Sequence, residues 1–486
     1  MTRNIEQTLE HTVAGSTFSD PSIQSLWDAD INWDRVEKYV RRIQEHIYQY
    51  TKRQQWQKVR NLQKLLARSY YAKMIAIREV TQRNHGKNTP GIDNKLYETP
   101  EERWSLTQEP FDYVTDIPSP VKRVFIPKQD GSQRPLGIPT IHDRIMQMMV
   151  KNALEPEWEA KFEPNSYGFR PGRCTMDAID QIRKLLGSKM TDYQWVLDAD
   201  ISKCFDTIEH GVLEEKIPVF NKIIKRWLKA GVIELGNFSE TEMGTPQGGI
   251  ISPLLANIAL HGMENLFKND PSISLVRYAD DFVVIANSKE ILDKEVLPVL
   301  KAFLAERGLN LNMIKTHIIH RTEGFSFLGF YIKYILKTKA STSYLSITPP
   351  KEKISNVLQK IKSIFRTTLF RPLNEVIVQL NWVIRGWAYY YRFANAGKSF
   401  AYLRTRIFEI TWRNLKRRHI HKSSGWIYKN YFKKVDLRQW VLYEGNFTLV
   451  DPMSIPIRRY IKVNGNYSPF DHSKKDYWKA RLRVNA

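Results

Sequence analysis

From Asp34 to Arg83 apolar residues recur at helical spacing, first Val36, Tyr39, Val40, Ile43 and Ile47, then Leu62, Leu65, Leu66 and Tyr70. That period predicts amphipathic helices, each burying one stripe. The run NHGKNTPGID at 84–93 concentrates Gly, Pro and Asn and predicts a loop. From Val121 to Tyr334 the pattern shifts to short apolar runs: VKRVFIP (121–127), WVLDADI (195–201), LVRYADDFVVIA (275–286), HIIHR (317–321) and FSFLGFYIKY (325–334). Their β-branched and aromatic content predicts strands. Helical stretches separate them, so the core is α/β or α+β. Past the Pro349–Pro350 breaker the spacing is helical again and the residues are basic. The sequence shows no internal repeat and no low-complexity tract.

A chain of 486 residues implies roughly two to four domains. It contains no apolar run long enough to span a bilayer, so no membrane partner is expected. The first thirty residues are polar and acidic, which predicts neither a secretory signal nor a transit peptide. Cys174 and Cys204 are the only cysteines, which gives no disulfide framework and no cysteine zinc site. Both read as small buried residues in a reducing, cytoplasmic setting.

Charge changes the picture. The chain carries 74 Lys or Arg against 51 Asp or Glu, a net +23. Residues 351–486 alone hold 28 basic and 8 acidic side chains, a net +20, and 24 of the 58 aromatics. A basic, aromatic-rich module joined to a nearly neutral one predicts phosphate neutralisation and base stacking. The plainer alternative is a solvated basic face on an ordinary helical domain.

The middle region carries the chemistry. Asp280 and Asp281 form an acidic pair inside the apolar run RYADDFVVIA. Unpaired carboxylates inside a buried strand are costly. At the tip of a tight hairpin, bound to hard cations, they are not. VLDADISKCFD sets Asp198 and Asp200 at the end of another apolar strand. Carboxylates from two such strands can hold two Mg²⁺ ions about 3.5–4 Å apart for nucleotidyl transfer. Because Asp favours turns, one pair alone is equally a hairpin turn.

Further segments accompany these in a fixed order: IPKQDGSQRPLGIPTIHDRIMQ (126–147), SYGFRPGRCTMDAI (166–179), VLDADISKCFDTIEH (196–210), GTPQGGIISPLLANIALHGME (244–264), RYADDFVVIA (277–286), GLNLNMIKT (308–316) and FLGF (327–330). LNWVIRGWAYYYRF (380–393) and KSSGWIYKNYF (422–432) follow. In these nine motifs the chain resembles the reverse transcriptases encoded by group II introns, which also act as maturases; the resemblance covers roughly 35 to 475.

The resemblance implies an α+β right-hand polymerase. An N-terminal helical extension would occupy 1–85, and fingers and palm with an antiparallel sheet 86–345. A helical thumb, or maturase domain X, would fill 346–425, and a basic DNA-binding region 426–486. Asp200, Asp280 and Asp281 match the catalytic carboxylates that hold two Mg²⁺ ions, with the Ile201 backbone as a further ligand. Phe205, five positions after Asp200, matches the ring that excludes a 2′-hydroxyl; an ordinary core Phe is the alternative. Lys128 and Arg134 bracket a turn that can fold over a triphosphate. Gln247 lies in PQGGIISP, where Gly248 and Gly249 would let the backbone approach the primer–template or nucleotide. The form QGxxxSP separates the chain from related gene-diversifying enzymes. Lys315 matches a residue that protonates the pyrophosphate leaving group, although a lysine on a loop is common.

Arg170 and Arg173 would lie near the template path, with a structural role left open. Arg385, Arg392, Arg413, Lys416, Arg417, Arg418 and Lys422 would contact nucleic acid. His142 and His261 read as structural or RNA-side residues rather than metal ligands.

The implied activity is RNA-directed DNA synthesis coupled to splicing of the host intron and retrohoming. The implied partners are group II intron RNA, target DNA, deoxynucleoside triphosphates and an RNA template with a DNA primer, in a bacterial nucleoid-associated ribonucleoprotein. A domesticated reverse transcriptase in host defence and a binding-only splicing maturase are the alternatives. Many family members end in an HNH endonuclease built on CxxC pairs. With no cysteine beyond Cys204, no such nuclease is expected here, nor cleavage of the second target strand by the protein.

Overall fold

The computed structural model describes residue 27 and residues 31–127, 131, 133–188, 191–234, 236–336, 343–368, 370–435 and 438–485. The chain divides into two compact units, 1–161 with 205–258 and 162–204 with 259–486. The acidic N-terminal stretch, Trp27 and residues past 30 aside, and Lys128 lie outside the described residues.

In the first unit Asn32 caps the helix Trp33–Lys52 by accepting the Arg35 amide, and Val36, Val40, Ile43 and Ile47 form its buried stripe as the spacing predicts. The next pattern resolves differently. Its helix Trp56–Arg68 buries Val59, Gln63, Leu66 and Ala67, while Leu65 and Tyr70 are exposed. Ser69 is extended, so the helix stops there and Tyr70–Arg78 starts a new one with its own phase. These helices pack with the long helix Ile141–Lys161. Trp27, Ile77, Leu106, Ile141, Ile145 and Met149 share its core. A four-stranded sheet completes the unit in the order Gln133–Ile138, Val121–Pro127, Val232–Glu234, Asn237–Ser239. The first pair is an antiparallel hairpin in register from Lys122↔Ile138 to Pro127↔Gln133.

In the second unit Trp195–Ser202 is the central strand. It pairs antiparallel with Asp281–Ala286 on one side and with Asn310–Leu311 and His317–His320 on the other. Ile273–Tyr278 forms the outer strand. The apolar run 275–286 is therefore a hairpin, as its acidic tip requires. The run 325–334, expected as one strand, also folds back on itself. Phe325–Phe327 pairs with Phe330–Ile335, and Leu328 and Gly329 between them both take positive φ, the two-residue turn that suits strand twist. Tyr344–Thr348 adds a third strand.

Helices Lys351–Thr367, Leu373–Tyr391 and Gly397–Arg418 follow the proline breaker and enclose an apolar core of their own. The chain does not stay helical. Phe432–Val435, Arg438–Glu444 and Phe447–Thr448 make a three-stranded sheet whose Phe432 and Leu442 join that core. The end of the chain then returns to the carboxylate sheet's core, where Ile455, Tyr460, Val463 and Trp478 pack with Tyr167, Ile179 and Val196. Arg481 anchors it with a donation to both Asp177 oxygens (2.7 and 3.0 Å), where Asp177 is fully buried. Asp177 also accepts the amides of Cys174 and Val463. Among the described residues no helix is long and apolar enough to cross a membrane.

Candidate active site

Strand pairing brings the expected carboxylates together. Asp200 on the central strand lies directly opposite Asp281, the first residue of its neighbour, and Asp280 occupies the turn before it. Asp198 shares a strand face with Asp200, two residues apart. Like charges directly opposite each other destabilise a sheet, so this arrangement opposes stability and points to function. Burial, then the negative charges of Asp281 and Asp200, push the Asp198 carboxyl up to about 7. Lys315 donates to the Asp200 carboxylate at 2.8 Å. Ile201 pairs with Leu311 next to Asp200.

An oxygen-only donor set with its negative charge concentrated on one sheet face fits a hard divalent cation. As they stand, no three His, Cys, Asp or Glu side chains among the described residues converge on a single point.

The turn that carries Asp280 is held by residues the sequence reading passed over. Arg277 is almost completely buried and donates to the Ala279 carbonyl at 3.1 Å, while Ala279 itself takes a left-handed φ of 59°. The Arg277 backbone bonds to the segment before the central strand, its amide to Asn165 and its carbonyl to the Tyr167 amide. Gly168 packs so tightly on this turn that an added Cβ would overlap the Ala279 nitrogen. Buried Glu163 balances the charge. Burial opposes its ionisation, but His261, 3.1 Å away, and the nearby Arg277 hold its carboxyl down to about 2. The signal was available: an arginine inside the apolar run LVRY, beside an acidic pair.

Two of the arginines expected near the template belong to this framework instead. Arg170 is buried and donates to the carbonyls of Glu163 and Ser166 at 2.7 Å each. Arg173 is buried and donates to the carbonyls of Pro164 and Gly465. Arg392 is buried as well, on the Asn485 carbonyl. All three guanidiniums donate to backbone carbonyls, which for Arg170 and Arg173 is the structural role left open above and for Arg392 a use the sequence did not suggest. Arg418 is half-buried and donates to the carbonyls of Thr368 and Arg371, closing a loop between helices. Arg385, Arg413, Lys416, Arg417 and Lys422 are exposed.

In the first unit Arg134 is exposed on its hairpin, opposite Ile126. Half-buried Phe205 and Gln247 lie in neighbouring segments, because the Thr245 amide donates to the Phe205 carbonyl at 2.6 Å. The close approach expected at Gly248 is made to the protein itself. A Cβ there would overlap the Gly137 carbonyl oxygen, and the Gly137 amide donates to Gln247. Gly249 packs on Ser252 and Gln147 in the same way.

The two histidines are structural, His261 on Glu163 and His142 between Glu109 and Asp116 with its ring stacked on Phe111. Cys204 is buried as expected. Cys174 is exposed, its sulfur 3.0 Å from the Tyr460 hydroxyl.

Three family models match the chain in succession. They are the N-terminal domain of reverse transcriptase over 27–109, reverse transcriptase (RNA-dependent DNA polymerase) over 126–332, and the group II intron maturase-specific domain over 354–432. Protein YkfC of Escherichia coli is 33% identical over 300 residues, covering 51% of this chain and 77% of that protein. The group II intron-encoded protein LtrA of Lactococcus lactis is 39% identical over 189 residues, covering 37% of this chain and 31% of LtrA. A Candida albicans telomerase solved with a fragment of telomeric RNA aligns over 66% of this chain and 65% of its own, with 13% identity and a TM-score of 0.36, a likeness too distant to inform function. By the order of its three domains and its similarity to these relatives, the chain belongs to the group II intron-encoded reverse transcriptases with maturase function.

Proposed function

We propose that this protein copies RNA into DNA at the Asp200–Asp281 face and uses its basic C-terminal half to bind its own group II intron RNA for splicing and retrohoming. The observation that carries the reading is the direct opposition of Asp200 and Asp281 across paired strands, with Asp280 in the adjoining turn. In a right-hand polymerase this sheet is the palm, the hairpin 121–138 belongs to the fingers, and the helices after 350 form the thumb. The divisions at 85, 345 and 425 follow that scheme, with 426–486 serving target DNA.

Asp200, Asp280, Asp281 and the Ile201 carbonyl would hold Mg²⁺, which when bound lowers the cost of charge developing on the attacking and leaving oxygens. The chain's own residues do the rest. Arg277 and Gly168 fix the turn. Lys315 is positioned on Asp200 to release that carboxylate and give a proton to pyrophosphate. Phe205 limits the sugar to a deoxynucleotide, Gln247 lines the same segment, and Lys128 and Arg134 neutralise the triphosphate. Exposed Arg385, Arg413, Lys416, Arg417 and Lys422 supply phosphate contacts to RNA.

The test replaces Asp281 with Ala. Extension of a DNA primer on an RNA template should be abolished while affinity for a transcribed group II intron RNA is unchanged. Wild-type-like extension would overturn the assignment.

A further inference from the structure

Beyond the carboxylate site, the sheet that follows the helical bundle presents an unusual side chain. Its strands pair at Lys433↔Val441 and at Val435↔Arg438 with a register shift between them. Two residues, Gln439 and Trp440, therefore stand opposite Lys434. A β-bulge of this kind re-aims a side chain and sharpens the local twist. At its centre Trp440 takes a φ of 62°. The left-handed region is disfavoured for a bulky residue, and strain of this kind collects at functional positions.

The bulge does not hide the indole. Trp440 is 42% exposed, and around it lie Tyr428 at 37% and Phe408 at 38%. The ring centroids of Tyr428 and Trp440 are 4.2 Å apart, and Trp412 and Phe432 each lie 5.7 Å from Trp440. Phe432 faces the core beneath, while the others leave ring surface in water. Cations border the patch. Lys416 lies 5.6 Å from the Trp412 ring centre, and the Arg413 side chain is 71% exposed. Lys429 and Lys434 are exposed on the adjoining helix and strand. An apolar aromatic surface ringed by lysine and arginine favours a π-face carried on a polyanion over a hydrophobic protein partner.

We infer that Phe408, Trp412, Tyr428 and Trp440 form a stacking platform for unpaired bases of the intron RNA, with Lys416 and Arg413 on the flanking phosphates. This rests on the maturase reading above and adds the site. RNA is the occupant because its loops and bulges offer unstacked bases, whereas duplex DNA keeps its bases in the stack. Phe408, Trp412 and Tyr428 lie within 354–432, the stretch similar to the maturase-specific domain; Tyr428 and Trp440 belong to the 426–486 region, which on this inference serves the intron RNA as well as target DNA.

The experiment compares full-length wild type, Trp440→Ala, Trp440→Gly and Trp440→Phe for affinity toward a transcribed group II intron RNA over a salt series. Loss of one aromatic–base stack should weaken binding about tenfold or more in the Ala and Gly proteins. The salt slope should not change, since no phosphate contact is removed. Phe should restore most of the affinity. Gly relieves the positive φ, so its RNA affinity should fall even where the protein melts no earlier than wild type.

Unchanged RNA affinity in the Ala and Gly proteins would overturn the platform. So would a loss that Phe does not rescue, because that reports the backbone rather than the ring. A loss seen only with a single-stranded DNA oligonucleotide would overturn the choice of RNA. If wild type itself fails to bind the intron RNA, the maturase reading fails and the platform with it. If wild type binds and Trp440→Ala binds equally well, only the platform fails.

Discussion

Arg277 gives the sharpest test of how the Asp280 turn is held. Its guanidinium is almost fully buried, donates to the Ala279 carbonyl at 3.1 Å, and faces the depressed carboxyl of Glu163. Arg277→Lys retains one positive charge but exchanges a planar fork for a flexible ammonium. Losing a charge-assisted hydrogen bond costs about 1.5–3 kcal/mol, against a total stability of roughly 5–15 kcal/mol, so the protein should remain folded. The effect on chemistry should be much larger. Asp280 and Asp281 follow Ala279 directly, and a displacement of reacting groups by about 1 Å can lower a rate on the order of 10²-fold.

The assay combines single-turnover primer extension across a Mg²⁺ titration, Mn²⁺ binding followed by magnetic resonance, and thermal unfolding. The expected outcome is a small loss of melting temperature, unaltered primer–template affinity, weaker Mn²⁺ binding, and an extension rate lower by about two orders of magnitude. Arg277→Met should be worse in stability, by about 3–5 kcal/mol, since it removes one of the two cations beside buried Glu163 and leaves only His261. Arg277→Lys protein that extends primers at the wild-type rate with unchanged metal demand would refute the positioning argument.

Other perturbations address separate parts of the molecule. Phe205→Val should raise incorporation of ribonucleotides relative to deoxynucleotides, and unchanged sugar discrimination in an active enzyme would return Phe205 to a packing role. Arg481→Met should lower unfolding stability by about 3–5 kcal/mol, read by urea denaturation, because its partner Asp177 is fully buried; a change close to zero would show that the chain's end is not anchored there. His142 is raised above its ordinary value by its hydrogen bond to Asp116, against the cost of burial. Its contribution to stability is therefore complete below about pH 6.5 and lost as pH rises through the elevated folded value. Burial lifts Asp143 to about 6, so stability also declines as pH climbs from the ordinary carboxylate range to that point. His142→Gln should flatten the part of the decline above about pH 6.5 in denaturation midpoints, and an unaltered pH profile would dismiss the His142 contacts as incidental.

Local pattern was legible where a single element decides the outcome. The stripe Val36, Val40, Ile43, Ile47 is buried as its spacing predicts, and Val121–Pro127 begins and ends where its composition does. The acidic pair was placed correctly at a hairpin tip because an apolar strand cannot bury it. The run 325–334 carries no such cue: every residue suits a strand, and only the positive φ of Leu328 and Gly329 reverses the chain. Nor does Ser69 announce itself, although its extended backbone resets the helical phase and carries Leu65 and Tyr70 to the surface. Nothing in a count of basic residues announces the sheet at 432–448, because its register depends on pairing between segments.

The arginines show a deeper ambiguity. In SYGFRPGRC two cations flank a glycine turn, the composition of a phosphate contact. A guanidinium serves equally well as a donor to backbone carbonyls, and a turn leaves several of these without helix or sheet partners. Composition does not distinguish the two uses; burial does. Arg170 and Arg173 take the second course. In doing so they help brace the 163–177 segment, which meets the catalytic turn at Gly168 and the chain's end at Asp177. What these arginines visibly support is the segment beneath the carboxylates. Lys315 shows the converse. It is an exposed lysine of the kind usually dismissed as solvated, yet it sits on Asp200. Whether a charged side chain acts on a ligand or on its own fold depends on which groups its neighbours leave unpaired, and that depends on segments far away in sequence.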